Sequence, residues 1–273
     1  MSRTVVLPLL CLGLLLTGCV SQTVTSNSVP AVRSAETVIP EDLLLDVGIV
    51  VFDPGLEELT EDDARLVYPE IRKAEAHFVA ARLSEALQNS GSWGAVRVIP
   101  NAEQAVDILV EGRILQSDGE SLDLAIEATD ARGNTWLAGD YSDTSSSYAY
   151  KVTTRSSFDP FQAVYNEIAN DLLDVLERTS HSDLRKIRLI NELRFAGRFS
   201  DEAFAGYLEE QRDGSWQVVR LPADDDPMLK RVRRIRERDR IFIDTLQDYY
   251  LGFDERMTAP YQEWRKLSYE ETV

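Results

Sequence analysis

The chain has 273 residues, 44% of them apolar, with 47 acidic against 29 basic side chains and a formal net charge of −18. That length accommodates one large or two modest domains, and the apolar fraction is ordinary for a globular chain. An acid excess of this size disfavours a protein whose whole surface seeks nucleic acid or anionic lipid.

Near the start, Arg3 precedes an almost unbroken apolar run from Val5 to Leu16. A dozen residues is too short to span a bilayer, which takes roughly twenty. A basic start, a short apolar core and small residues before a break make a secretion signal over residues 1–18. The run ends in Leu16-Thr17-Gly18-Cys19, which resembles the lipobox of bacterial lipoproteins. The resemblance implies cleavage before Cys19, diacylation of its sulfur and acylation of the new amine. Several acyl chains make such attachment lasting, since each buried methylene adds about 0.8 kcal/mol. Val20 rather than Asp follows the cysteine, and the sorting rule of that class then implies the inner leaflet of the outer membrane, facing the periplasm. Removing residues 1–18 leaves 255 residues and, with Arg3 gone, moves the net charge from −18 to −19. Cys11 leaves with the signal, so the mature chain keeps only Cys19. A lipid-blocked sulfur excludes a disulfide, a thiolate nucleophile and a cysteine metal site.

Residues 19–42 read as the lipidated cysteine and a flexible tether. They are rich in Ser and Thr, broken by Pro30 and Pro40, and without a period of 2 or 3.6. Its residues 20–40 reach about 70 Å when stretched, at roughly 3.3 Å per residue, and nearer 25 Å when relaxed.

Residues 43–150 read as an α+β domain. Val47 to Phe52 is a buried strand stopped by Asp53-Pro54-Gly55. Pro69 opens a helix whose Ile71, Ala74, Phe78, Ala81 and Leu87 follow helical spacing, and Asn89-Ser90-Gly91 ends it. Strands follow at 95–99 and 106–115. After a turn at 117–120, Leu122, Leu124, Ile126 and Ala128 alternate with polar residues, and a last strand runs over 135–141. Strand, helix and four further strands, with Ala105-Val106-Asp107-Ile108-Leu109-Val110-Glu111-Gly112-Arg113-Ile114 and the turn Asp130-Ala131-Arg132-Gly133-Asn134, resemble the small periplasmic domain of the curli-secretion lipoproteins and of the lipoprotein activators of penicillin-binding proteins. That likeness covers about 100 residues and implies a mixed sheet with a packed helix. Over its full length, notably at 226–250 and 263–270, the chain resembles an uncharacterised family of proteobacterial outer-membrane lipoproteins. That family brings no activity with it.

Residues 151–273 read as a mainly helical region with a short extended insert near 214–222. Phe161, Val164, Ile168, Leu172 and Val175 form one apolar stripe. Ser180 caps a second helix, with Asp183 at its third position and Gly197 at its end. Ser200 starts a third. Asp226 caps and Pro227 opens the longest helix, with Asp224 and Asp225 near its positive end. Gly91-Ser92-Trp93 is echoed by Gly214-Ser215-Trp216, which reads as two strands entered by similar turns.

The residues carry little catalytic chemistry. His77 and His181 stand outside any metalloprotease pattern, and the chain has no nucleophile-elbow, Walker or dinucleotide signature. Asp224-Asp225-Asp226 lacks the spacing of a calcium loop. No cofactor is expected. The sharpest feature outside the anchor is Lys230, Arg231, Arg233, Arg234, Arg236, Arg238 and Arg240. At 100° per residue, Met228, Val232, Ile235, Phe242 and Leu246 share one stripe, with the cations opposite and Asp239 inside the stripe. The cations read either as a dock for lipid headgroups, a glycan strand or an acidic protein, or as a solvated face paired with the chain's own acids. Tyr249, Tyr250, Phe253, Tyr261, Trp264 and Tyr269 read as core packing of a terminal helix pair, or as a sugar platform or partner hot spot. The expectation is a non-enzymatic outer-membrane lipoprotein acting as a periplasmic adaptor or envelope-assembly factor, with an envelope protein or anionic glycan as partner. The alternative is a regulator of a cell-wall enzyme.

Overall fold

The computed structural model describes residues 21–25, 29–57, 59, 67–103, 105–145, 150, 159–223 and 225–272. The signal segment, Cys19, Val20 and Asp224 lie outside the described residues. The fold is mixed α and β, as the pattern of elements predicts. Strands β1 (Ser21–Thr25), β2 (Val47–Val50), β3 (Val96–Ile99), β4 (Ile108–Ser117), β5 (Ser121–Asp130) and β6 (Thr135–Thr144) form one sheet in the order β1-β6-β5-β4-β2-β3. β4, β5 and β6 make an antiparallel meander, while β2 lies parallel to both β3 and β4. Helix α1 (Pro69–Ser90) connects β2 to β3 as a βαβ unit. Gly91 stops it in the left-handed region at φ 64°, a conformation open to glycine because it has no Cβ.

The alternation expected in β5 is observed. Leu122, Leu124, Ile126 and Ala128 are buried, with their neighbours more exposed. They face α1 and α2 (Gln162–Arg178), whose Leu83, Leu87, Val164, Ile168 and Leu172 complete one core. This core also takes in Leu184, Ile187 and Ile190 of α3 (His181–Phe199). The boundary expected near residue 150 therefore does not separate one core from another: the sheet's apolar face needs the later helices to cover it. The Ser180 cap is confirmed, its hydroxyl oxygen accepting from the Asp183 amide at 3.2 Å. Gly197 does not end α3, which runs to Phe199. Ser200 precedes only a short α4 (Asp201–Phe204). The extended insert is a hairpin of β7 (Leu208–Glu210) and β8 (Trp216–Val218), and Gly214 turns into β8 at φ 82°.

The expected free tether is corrected where it is described. β1 adds to the sheet edge parallel to β6. Residues 30–36 then run along α2, held by its side chains. Asn166 Nδ2 donates to Pro30 O at 2.8 Å, and Asn170 Oδ1 accepts from the Arg33 amide at 2.9 Å. The Glu36 amide donates to Glu177 Oε1 at 2.7 Å. Backbone satisfied by side chains of another element leaves no period in its own sequence.

Helix α5 (Pro227–Thr272) is 46 residues long, about 69 Å at 1.5 Å per residue. It crosses the β3 edge and then lies along α1. Gln247 caps that edge from both sides: its Oε1 accepts from the Val98 amide at 2.9 Å and its Nε2 donates to Val98 O at 2.8 Å. Farther along, α5 sits directly on the β4–β5 turn. A Cβ at Gly119 would lie 2.2 Å from Arg265 O and 2.1 Å from Tyr269 N. Gly119→Ala is expected to lift the last turns of α5 and to cost about 1–3 kcal/mol, as overpacking does. Chemical denaturation measures that loss, and faster amide exchange confined to the end of α5 locates it.

Candidate functional site

The start of α5 is set as the sequence predicts. Asp226 Oδ1 accepts from the Met228 and Leu229 amides at 2.8 and 3.1 Å, and Pro227 opens the helix. Its buried face carries Leu229, Val232, Ile243, Asp254, Tyr261 and Arg265, with Arg236, Arg240, Gln247 and Tyr250 half-buried between them. At 100° per residue this face is rotated about 75° from the expected stripe. Phe242 therefore points outward, 60% exposed. The rotation follows from polar anchors on the body that a hydrophobic period does not register.

The seven cations consequently divide. Arg233 makes a forked pair with Glu192 on α3, at 2.6 and 2.9 Å. Arg240 Nη2 lies 2.8 Å from Asp46 Oδ2. Arg236 donates to Ala105 O at 3.4 Å, while its Nε is buried without a partner among the described residues. These three line a cleft of about 420 Å³ between α3 and α5, together with Asp107, Arg188, Glu192 and Glu237. Asp107 forms its floor, accepting from the Asp46 amide at 2.9 Å and from Asn191 Nδ2 at 2.6 Å. Burial pushes the Asp107 carboxyl up and the Arg236 guanidinium down. Of its four guanidiniums, Arg233 and Arg240 pair with the carboxylates of Glu192 and Asp46, while Arg188 and Arg236 donate to the backbone carbonyls of Leu44 and Ala105.

Lys230, Arg231, Arg234 and Arg238 are different. All four are exposed, and among the described residues none forms an ion pair. On the helical wheel they share an arc with Ile241, Phe242 and Tyr249, which are 59%, 60% and 71% exposed. Asp239 falls on the half-exposed margin rather than inside an apolar stripe.

Most of the aromatic run is packing. Tyr261 is buried against Phe78 at a ring distance of 4.8 Å and stacks on Trp264 at 5.7 Å. Tyr250 and Phe253 enclose His77, with centroids at 5.8 and 5.6 Å. Burial lowers the pKa of His77. His181 lies on another element, at the exposed start of α3. No group of three or more metal-ligating side chains occurs among the described residues, and no described helix is long and apolar enough to cross a membrane.

Sequence reasoning missed a buried ionic cluster under α5. Arg265 is fully buried and pairs with Asp159 at 2.7 Å. Glu75 Oε1 accepts from both Tyr261 and Ser117, and Glu75 also lies 3.2 Å from Arg72. The one signal in the sequence was that Arg265 shares a wheel position with Leu229 and Gln247, which reads as burial only once the correct face is known.

Asp143, on β6, is fully buried, and its Oδ2 has no partner among the described residues. Burial, with Asp159 and Glu167 nearby, raises its pKa to about 6 despite a hydrogen bond from the Thr144 amide. A folded-state pKa above the unfolded value means that the folded protein binds the extra proton. Stability then falls as pH rises from about 4 to about 6. Asp143→Asn is expected to flatten that fall and to raise the melting temperature at pH 7–8. Melting curves of both proteins across pH 4–8 check it, and parallel curves would refute it.

No family model matches the sequence, and no curated protein matches it. Among solved structures, the chain is similar to a Xanthomonas campestris protein of the family DUF330. They share 12% identity over 60% of this chain and 99% of that one, with a TM-score of 0.33. It is also similar to the PelC dodecamer from Paraburkholderia phytofirmans, at 16% identity over 55% of this chain and 92% of that one, with a TM-score of 0.26. Both neighbours are proteobacterial. At these identities and scores neither supplies a function, a partner or a site residue for this chain.

Proposed function

We propose that this protein is a non-enzymatic adaptor of the bacterial envelope, held by lipid on Cys19 at the periplasmic face of the outer membrane, which presents the outer arc of α5 to an anionic partner. One observation carries the reading. In a chain of net charge −18, Lys230, Arg231, Arg234 and Arg238 are exposed together and form no ion pair among the described residues. A local positive patch on an acidic body steers a negatively charged partner to one place.

The anchor is tested first. Cys19→Ser is expected to abolish incorporation of labelled palmitate and to leave unprocessed precursor; label in the variant would remove the membrane-held component of the proposal. The arc is tested by a crosslinker attached at Ile241→Cys, since Cys19 is the only other cysteine expected in the mature chain. Crosslinking in cells is expected to capture an acidic envelope component, with less capture as salt rises. The same yield from Glu202→Cys, on the exposed surface of α4, would mean that the arc has no special role.

A further inference from the structure

Strand β1, which follows the proposed anchor in the chain, and the β3 strand crossed by α5 are the two edges of the sheet. Ser21 begins β1 at one edge, two residues after Cys19, which is at most about 7 Å of extended chain. α5 crosses β3 at the other edge, where Arg97 Nε lies 2.6 Å from Asp244 and Gln247 caps Val98. Five strand spacings separate the two edges, about 24 Å at 4.8 Å each. The buried side of α5 faces the body, and Lys230, Arg234 and Arg238 lie on its outward side.

The shape of the arc narrows the choice of partner. From Lys230 to Tyr249 it runs about 28 Å along the helix, and its width is about 10 Å, one third of the circumference of a helix 10–12 Å across. Exposed Glu237, Asp244 and Asp248 lie along one margin, Asp248 at the wheel position of Lys230. A broad anionic sheet such as a bilayer would press against those acids as well as the cations. A single strand would not. Along the ridge the cations come first and exposed Ile241, Phe242 and Tyr249 follow, so charge and apolar surface lie end to end. Carboxylates suit the forked guanidinium donors of Arg234 and Arg238. The apolar faces of sugar rings suit exposed aromatic rings, which combine a flat apolar body with little entropy to lose.

We infer that the outer arc of α5 binds a linear, carboxylate-bearing glycan strand. This rests on the proposal that the arc is the binding surface.

The native protein, reconstituted in neutral phosphatidylcholine vesicles, is mixed with fluorescent polygalacturonate, dextran or polyglutamate, or with vesicles of phosphatidylglycerol, and co-flotation is measured. Polygalacturonate is expected to float with the protein and dextran is not. Binding falls with added salt, because charge screening acts within about 10 Å at 0.1 M. Arg234→Glu with Arg238→Glu is expected to weaken polygalacturonate binding at least about tenfold, the loss of about 1.4 kcal/mol. Phe242→Ser with Tyr249→Ser is expected to weaken polygalacturonate binding while leaving polyglutamate unchanged. Melting curves confirm that both double variants are folded. Equal binding of polyglutamate, with no effect of the aromatic changes, would overturn the glycan assignment in favour of an acidic protein. Capture of phosphatidylglycerol vesicles without polygalacturonate would overturn it in favour of a second membrane. If no probe binds but crosslinking from position 241 still captures a partner, the glycan inference falls and the adaptor reading stands. If both fail, both fall.

Discussion

Asp159→Ala is expected to destabilise the protein by about 3–5 kcal/mol, the cost of leaving a buried charge without its partner. Arg265 is fully buried, and its Nη1 donates to Asp159 Oδ2 at 2.7 Å. Its Nε and Nη2 have no hydrogen-bond partner among the described residues. In their place the guanidinium lies over the rings of Tyr261, Phe161 and Phe78, at 4.2, 4.9 and 5.3 Å. Ring faces attract a cation but do not replace a carboxylate. The pair itself is another matter, because desolvation of two ions offsets most of their attraction. Arg265→Met combined with Asp159→Leu is therefore expected to recover most of what either single change loses. Denaturant titration of the two single variants and the double variant measures this. A loss below about 1 kcal/mol for Asp159→Ala would mean that Arg265 reaches water, which is incompatible with a docked α5.

The second large effect is on binding. Lys230→Glu, Arg234→Glu and Arg238→Glu together are expected to abolish partner capture from position 241 while shifting the melting temperature by no more than about 2–4 °C. These side chains are exposed and contact no carboxylate among the described residues. Reversal replaces a local attraction by repulsion in a chain already at −18, which acts on encounter and specificity more than on folding. Arg236→Glu is expected to do the opposite. It would set a second carboxylate beside buried Asp107 and cost about 1–3 kcal/mol or more in stability. Normal melting with normal capture in the triple variant would show a merely solvated helix face. A large drop in melting would show that the arc is internal ionic structure.

Local chemistry made much of the fold legible. The Gly91 stop, the Ser180 cap, the Asp226-Pro227 start of α5 and the period of two in β5 all depend on residues within one turn or one strand, and all stand where expected. The cationic segment was also legible as a segment. Its division into inward Arg236 and Arg240 and outward Lys230, Arg231, Arg234 and Arg238 was not.

By itself the sequence determined the longer helices and the strands of the meander, because hydrogen bonding within a turn and alternation along a strand are local properties; β1 and the end of α3 were not legible in it. Tertiary structure decided which side of α5 is inside. Asp46, Val98, Asp159 and Glu75 come from distant regions of the chain, and each holds one α5 side chain. Their positions exist only once the sheet and α1 have assembled. The same holds for residues 30–36, whose partners Asn166 and Asn170 lie more than 130 positions away. A polar residue is read as solvated until the group that pairs with it is in place, and that group is supplied by the fold.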